Sequence, residues 1–268
     1  MEKMKRKLLT SIVVGAMAIG VNFGSALASN TLSEGEFSVG MEISYPPFAS
    51  YDGDKVVGID PELTALLSNK MGLTYKFLDN KFTSLILGLS SNKFDSIING
   101  MYITEERLKK AEAIPYARTG AAIMVEHNSP AQPTTEKELC GLNVGLQQGT
   151  MWVTSLNELS ESYCIRNGLE PINVQTFPTA PEVTQALMSK NVQAQLEIAG
   201  AAQMFVERTK GRIEISSTEL IYPQTLGIYL KKGNLALKSK VEMAMAEIKA
   251  DGSYYKLIKK YDLVPVAD

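Results

Sequence analysis

The stretch Phe94-Asp95-Ser96-Ile97-Ile98-Asn99-Gly100-Met101-Tyr102-Ile103-Thr104-Glu105-Glu106-Arg107 changes character twice. Phe94 to Asn99 reads as a short buried strand, Gly100 to Ile103 as an irregular turn, and Thr104 as the N-cap of a helix whose third residue is Arg107. Such a turn exposes backbone N–H groups, a phenol and a guanidinium in one small patch. An arginine forks two parallel hydrogen bonds onto a carboxylate, and free amides where a loop enters a helix attract the same anion. The patch is expected to hold a small carboxylate. Taken without its surroundings, the same arginine reads equally as a solvated surface charge.

Outward from this stretch the chain alternates strands and helices. Before it, Phe37 to Ile43 alternates as a strand, and Tyr45-Pro46-Pro47-Phe48 forces a rigid extended turn, since proline fixes φ and restricts its predecessor. Asp60 is expected to cap a helix with Pro61 at its first position, Leu63, Leu66, Leu67 and Met71 on its apolar face and Gly72 as its stop. A strand from Leu73 to Phe77 and a helix from Thr83 to Ser91 follow. Near Ala122 the pattern restarts: a loop at Ser129 to Pro133, a strand Leu142 to Leu146, a helix capped by Thr150, a strand Val174 to Phe177 and a helix opening at Pro181-Glu182. Then come a strand Val192 to Leu196, a helix Ala199 to Thr209, a strand Arg212 to Ser216, and closing helices at Ala236 to Ala250 and Ser253 to Tyr261. Strands alternating with helices of about ten residues indicate an α/β fold with mostly parallel sheets. Ligands on such sheets sit outside the carboxyl ends of the strands. Tyr45, Phe82 and Asn99 to Tyr102 fall at such ends and are expected to form one wall of a cleft.

At the N-terminus, Lys3, Lys5, Arg6 and Lys7 precede an apolar run from Leu8 to Val21 and then Ala26-Leu27-Ala28. This is the pattern of a secretory signal peptide, with cleavage expected after Ala28. The apolar run is shorter than the ~20 residues of a membrane span, and no cysteine follows it to carry a lipid. Four of the 27 cations and one of the 29 acids lie in residues 1–28, leaving 23 against 28 and a net charge of about −5. That mild acidity argues against nucleic acid or an anionic membrane surface as partner. The 240 residues that remain suffice for two lobes with their own cores.

Cys140 and Cys164 are the only cysteines. In an oxidising compartment they read as a disulfide rather than a metal site, because no histidine or second cysteine pair accompanies them. Closing such a loop stabilises by roughly 3 kcal/mol on the chain-entropy estimate. His127, the single histidine, reads as a surface residue. No Ser/His/Asp set, cysteine nucleophile, P-loop or metal motif is present, so neither catalytic residues, cofactor nor metal are expected.

Thr104-Glu105-Glu106-Arg107, Tyr45-Pro46-Pro47-Phe48, Gly58-Ile59-Asp60-Pro61-Glu62-Leu63, Phe82, Gln148-Gly149-Thr150 and Asp251-Gly252-Ser253-Tyr254-Tyr255 together resemble the bacterial extracellular solute-binding proteins of family 3, the periplasmic receptors of polar amino-acid ABC transporters. The resemblance covers nearly the whole exported chain. It implies a two-lobed type II periplasmic-binding fold with a two-stranded hinge, lobe I from residues 29–121 with 226–268 and lobe II from 122–225. It also implies a monomer that captures a small molecule in the periplasm and delivers it to a membrane ABC permease.

The same resemblance assigns roles. Arg107 takes the ligand carboxylate with amides around Asn99, Gly100 and Tyr102 and, across the cleft, Thr150. Tyr45 and Phe82 sandwich the ligand side chain, and Glu42 stands where an acid can meet a cationic side chain. Met151 and Trp152 stand where polar contacts are common, so that Trp152 with Tyr45, Phe82 and Tyr102 suggests an aromatic box for a cation. Members that bind α-amino acids carry an aspartate for the ammonium group where Ile198 stands in register. Glu197 is adjacent, and substitutes only where the strand end twists. Two other readings use the same fold: a periplasmic cyclohexadienyl dehydratase with Glu197 as general acid, and a ligand-sensing domain with a membrane partner.

Overall fold

A computed structural model describes residues 31–267; the expected signal segment, residues 1–28, lies outside them. Strands β1 (Glu36–Met41), β2 (Ser44–Tyr45), β3 (Ala49–Asp52) and β4 (Lys55–Val57) lead into helix α1 (Ile59–Met71). There follow β5 (Thr74–Asp79), a 3-10 turn at Phe82–Ser84, α2 (Leu85–Ser90), β6 (Ser96–Ile97) and the one-turn α3 (Glu105–Leu108). The 16-residue strand β7 (Ala111–Glu126) carries the chain into a second series. That series is β8 (Asn143–Gln147), α4 (Met151–Leu159), β9 (Asn173–Phe177), α5 (Ala180–Met188), β10 (Ala194–Ile198), α6 (Ala199–Arg208) and β11 (Ile213–Ile215). Strand β12 (Ile221–Lys231) returns to the first series, and α7 (Leu235–Ala250) and α8 (Ser253–Lys260) follow.

The strands lie in the order β5-β1-β6-β12-β7-β10-β8-β9, with β11 beside β7 and β2-β3-β4 as a separate small meander. Pairing is parallel within β5-β1-β6 and within β10-β8-β9, and antiparallel wherever β7 or β12 takes part, apart from the meander. Each series places its second strand outside its first and its third inside, so the two halves repeat one topology. Strands β7 and β12 join them: Ala111 to Ala117 pairs with Leu226 to Lys231 in the first half, while Ala121 to Glu126 pairs with β10 and β11 in the second. The β12 register shifts at Ile221/Gln224 and again at Leu226/Gly227, where the two strands pass between the halves. The fold is α/β and two-lobed, with a two-stranded connection.

Several elements differ from the sequence reading for identifiable reasons. Phe94 to Asn99 is buried throughout, yet only Ser96–Ile97 forms ladder pairs. The flanking side chains occupy the neighbouring backbone instead: Asp95 accepts from the Ser38 amide at 2.8 Å and Asn99 from the Glu42 amide at 3.1 Å. Helix α1 begins after Gly58, not at Asp60. Gly58 sits at φ 131°, where an added Cβ would lie 2.3 Å from the Phe48 carbonyl oxygen, so only glycine allows the chain to enter the helix there. Asp60 is fully buried in the first turn and accepts a hydrogen bond from the Tyr116 hydroxyl at 2.8 Å. Thr104 does cap α3, accepting from the Arg107 amide at 3.3 Å.

Cys140 and Cys164 form the expected disulfide, with Cα atoms 5.6 Å apart. His127 is exposed and bonded to Glu214 at 2.7 Å. Among the described residues no helix is long and apolar enough to cross a membrane.

Candidate functional site

The carboxyl ends of the strands in both halves face one cavity. From the first half come Tyr45, Phe82, Gly100, Tyr102 and Arg107, and from the second Gln147, Thr150, Met151, Trp152 and Ile198. Gly100, at φ 55°, is required by close packing: a Cβ there would lie 2.8 Å from the Phe48 ring, which itself stacks on Tyr45 at 5.2 Å. The rigid Tyr45-Pro46-Pro47-Phe48 turn and the Gly100 turn therefore support each other.

Arg107 spans the cavity. Its Nη1 donates to the Tyr102 carbonyl at 2.7 Å and its Nη2 to the Gly149 carbonyl of the opposite half at 3.0 Å. The guanidinium lies 5.4 Å from the Phe82 ring centre. Burial lowers its pKa while the Tyr229 phenol opposes that shift, and an arginine stays cationic under any such perturbation. Across from it, Thr150 occupies the N-cap position of α4 without capping it. Its hydroxyl donates backward to the Gln147 carbonyl at 2.8 Å, so the first turn of α4 has no side-chain acceptor. A guanidinium and an uncapped helix start thus approach one space from two sides.

Three residues expected against a ligand stand one layer behind the wall. Asn99 is fully buried, and its amide is tied to the backbone of Glu42. Glu42 is 5% exposed and accepts from Gln147 Nε2 at 2.7 Å, a bond between the halves; burial raises its pKa. Glu197 is 2% exposed, and its Oε1 accepts from the Tyr45 hydroxyl at 2.5 Å and from the Ile198 amide at 3.0 Å. Burial pushes the Glu197 carboxyl up to about 7, with the Tyr45 phenol opposing, and pushes the Tyr45 phenol up as well. Ile198, where β10 turns directly into α6, presents its side chain to the cavity, while Glu197 reaches it only through Tyr45.

Residues 37–263 match the bacterial extracellular solute-binding proteins, family 3. The chain belongs to this family. It is 28% identical to the L-cystine-binding protein TcyJ of Escherichia coli K12 over 263 residues, 96% of this chain and 95% of that protein. It is 30% identical to the probable ABC transporter arginine-binding protein ArtJ of Chlamydia trachomatis serovar D, over 85% of this chain and 86% of that one. The structure of an ancestral arginine-binding protein bound to glutamine is similar, with a TM-score of 0.77 and 30% identity, covering 85% of this chain and 98% of that chain.

In this family-3 protein the four aromatic residues proposed as a box do share the cavity, but they do not form an open cage. Phe82 already carries the Arg107 guanidinium, and Tyr102 meets Trp152 edge to face, with ring centres 5.8 Å apart at 81°. The sequence reading omitted Gln147. Its position as the last residue of β8, just before the Gln148-Gly149-Thr150 turn, was the available signal, since side chains at the carboxyl ends of such strands line ligand clefts. Among the described residues no cluster of three or more His, Cys, Asp or Glu is arranged to hold a metal ion.

Proposed function

We propose that this chain is the periplasmic substrate-binding component of an ABC transporter, and that it takes an amino acid or related carboxylate-bearing amine into the cavity for import. One observation carries the reading: Arg107 sits in a cavity between the halves lined by four aromatic rings, hydrogen-bonded to carbonyl oxygens and, among the described residues, to no carboxylate. A carboxylate would exchange neutral acceptors for a charge-assisted, two-pronged pair, a roughly twofold stronger bond. The uncapped start of α4 adds donors on the opposite wall.

The two crossing strands support the proposed division into lobe I, residues 29–121 with 226–268, and lobe II, residues 122–225. Closure of one on the other around the ligand is the motion such a two-stranded connection allows. The signal-peptide pattern of residues 1–28 and the extracellular character of the family support a periplasmic location, and the transporter relatives support a membrane permease as the partner; the receptor itself is proposed to be a monomer. Binding rather than dehydratase chemistry is favoured because a general acid must touch its substrate, and Glu197 is separated from the cavity by the Tyr45 phenol.

The test is calorimetric titration of ligand-stripped protein, residues 29–268, with a panel of amino acids and amine-free carboxylates. Arg107→Ala is expected to abolish binding at concentrations that saturate the parent, while the empty protein keeps its stability to within about 1 kcal/mol. Undiminished affinity in that variant would refute the carboxylate clamp.

A further inference from the structure

The cavity holds two polar groups that the chain itself leaves without partners. Tyr102 is 4% exposed and Trp152 is 3% exposed, and among the described residues neither the Tyr102 hydroxyl nor the Trp152 Nε1–H has a hydrogen-bond partner. Buried polar groups are almost always paired, because an unpaired one forfeits its hydration without compensation. Both residues line the cavity, one from each half, and their rings touch edge to face. A group bonded to both must lie between the halves when they are closed.

We propose that Tyr102 and Trp152 together read a hydrogen-bond acceptor on the ligand's side chain, so that the site selects amino acids with neutral or anionic acceptor-bearing side chains and rejects basic ones. This rests on the amino-acid-binding function proposed above and specifies its substrate class. The indole N–H only donates, which sets the polarity of the group it can meet. Charge points the same way. Arg107 is the one charged side chain among the described residues of the lining. Glu42 is bonded to Gln147, and Glu197 is covered by Tyr45. A guanidinium or ammonium side chain would therefore meet a cation and an indole that only donates, the Tyr102 hydroxyl being the one acceptor of the pair, with no carboxylate on the wall to neutralise it. Met151 and Ile198 supply apolar contact for the body of the side chain.

The experiment is calorimetric titration of the stripped 29–268 protein with L-glutamine, L-glutamate and L-methionine sulfoxide, against L-norleucine, which lacks the acceptor, and L-arginine. It is repeated on Tyr102→Phe and Trp152→Phe, each of which keeps an aromatic ring. The best acceptor-bearing ligand is expected to bind about tenfold or more tighter than norleucine and arginine, and each variant to lower the affinity for acceptor-bearing ligands more than that for norleucine, shrinking the preference. Arginine or norleucine binding as tightly as the best acceptor-bearing ligand would overturn the proposal, and the parent protein alone decides this. Equal loss for every amino acid in both variants would also overturn it, by placing the pair on the shared α-carboxylate. If none of these ligands binds, the amino-acid reading fails with it; if they bind through Arg107 without acceptor preference, only this inference fails.

Discussion

Asp60 and Glu197 are both buried carboxyls that accept a hydrogen bond from a tyrosine, Asp60 from Tyr116 at 2.8 Å and Glu197 from Tyr45 at 2.5 Å. Burial pushes each up to about 7, and in each the phenol opposes the shift. What separates them is where the partner comes from. Asp60 and Tyr116 belong to the same half, and the Tyr116 carbonyl is further held by the Tyr254 hydroxyl at 2.9 Å. Tyr45 and Glu197 belong to opposite halves, so their surroundings exist only while the halves are together. On the closure proposed above, the same chemistry acts on folding in one place and on closure in the other.

The largest expected effect is the pH dependence of the Asp60 pair. The native state holds this proton more tightly than the unfolded chain, where an aspartyl group titrates near the usual 3.8. Its influence is therefore absent below about pH 4, grows against the folded state as pH rises towards 7, and levels off above that, with a total of a few kcal/mol. Asp60→Asn cannot titrate, and its melting temperature is expected to gain on the parent's as pH is raised from 5 to 8. Parallel curves would show that the two pairs do not differ as described. Tyr116→Phe comes next: it leaves the buried carboxyl short of a donor and is expected to cost about 1–3 kcal/mol, measured by urea unfolding and equal with and without ligand.

Tyr45→Phe is the sharper contrast. Opening exposes Glu197 to water, so the empty variant is expected to lose less than about 1 kcal/mol of unfolding free energy, below the Tyr116 effect. Its radius of gyration in small-angle scattering should rise instead, because a bond between the halves is gone; an unchanged radius with a large loss of stability would make the two pairs equivalent. The smallest effect belongs to Glu197→Gln, which keeps an acceptor for Tyr45 and Ile198 but removes the titration. Ligand affinity in this variant is expected to become flat between about pH 5 and 7, where the parent's weakens because closure makes an ionised Glu197 take up a proton, and to match the parent's levelling above about 7.

Much of the cavity was legible where recognition is local. The cap at Thr104 and the placement of Arg107 follow from residues three positions apart, and the aromatic residues at strand ends follow from the alternation of strands and helices. The disulfide follows from there being two cysteines in a chain whose first residues read as an export signal. Asn99, Glu42 and Glu197 were legible as polar residues near the cleft, but not as its second layer. Nothing near Asn99 in the chain shows that its amide is committed to Glu42, 57 residues away, and nothing near Glu197 shows that a phenol 152 residues away covers it. The Asp60 helix start failed likewise: the requirement for Gly58 comes from the Phe48 carbonyl packed against it.

The sequence by itself determined the alternation of elements, the two series, the disulfide and the Thr104-capped turn that carries Arg107, because periodicity, capping and cysteine count are properties of neighbouring residues or of composition. Only the tertiary structure decided which polar side chains reach the cavity and which are spent holding its walls. A buried polar group must find a partner wherever the fold brings one, and for Glu197, Asn99 and Gln147 that partner lies far away along the chain.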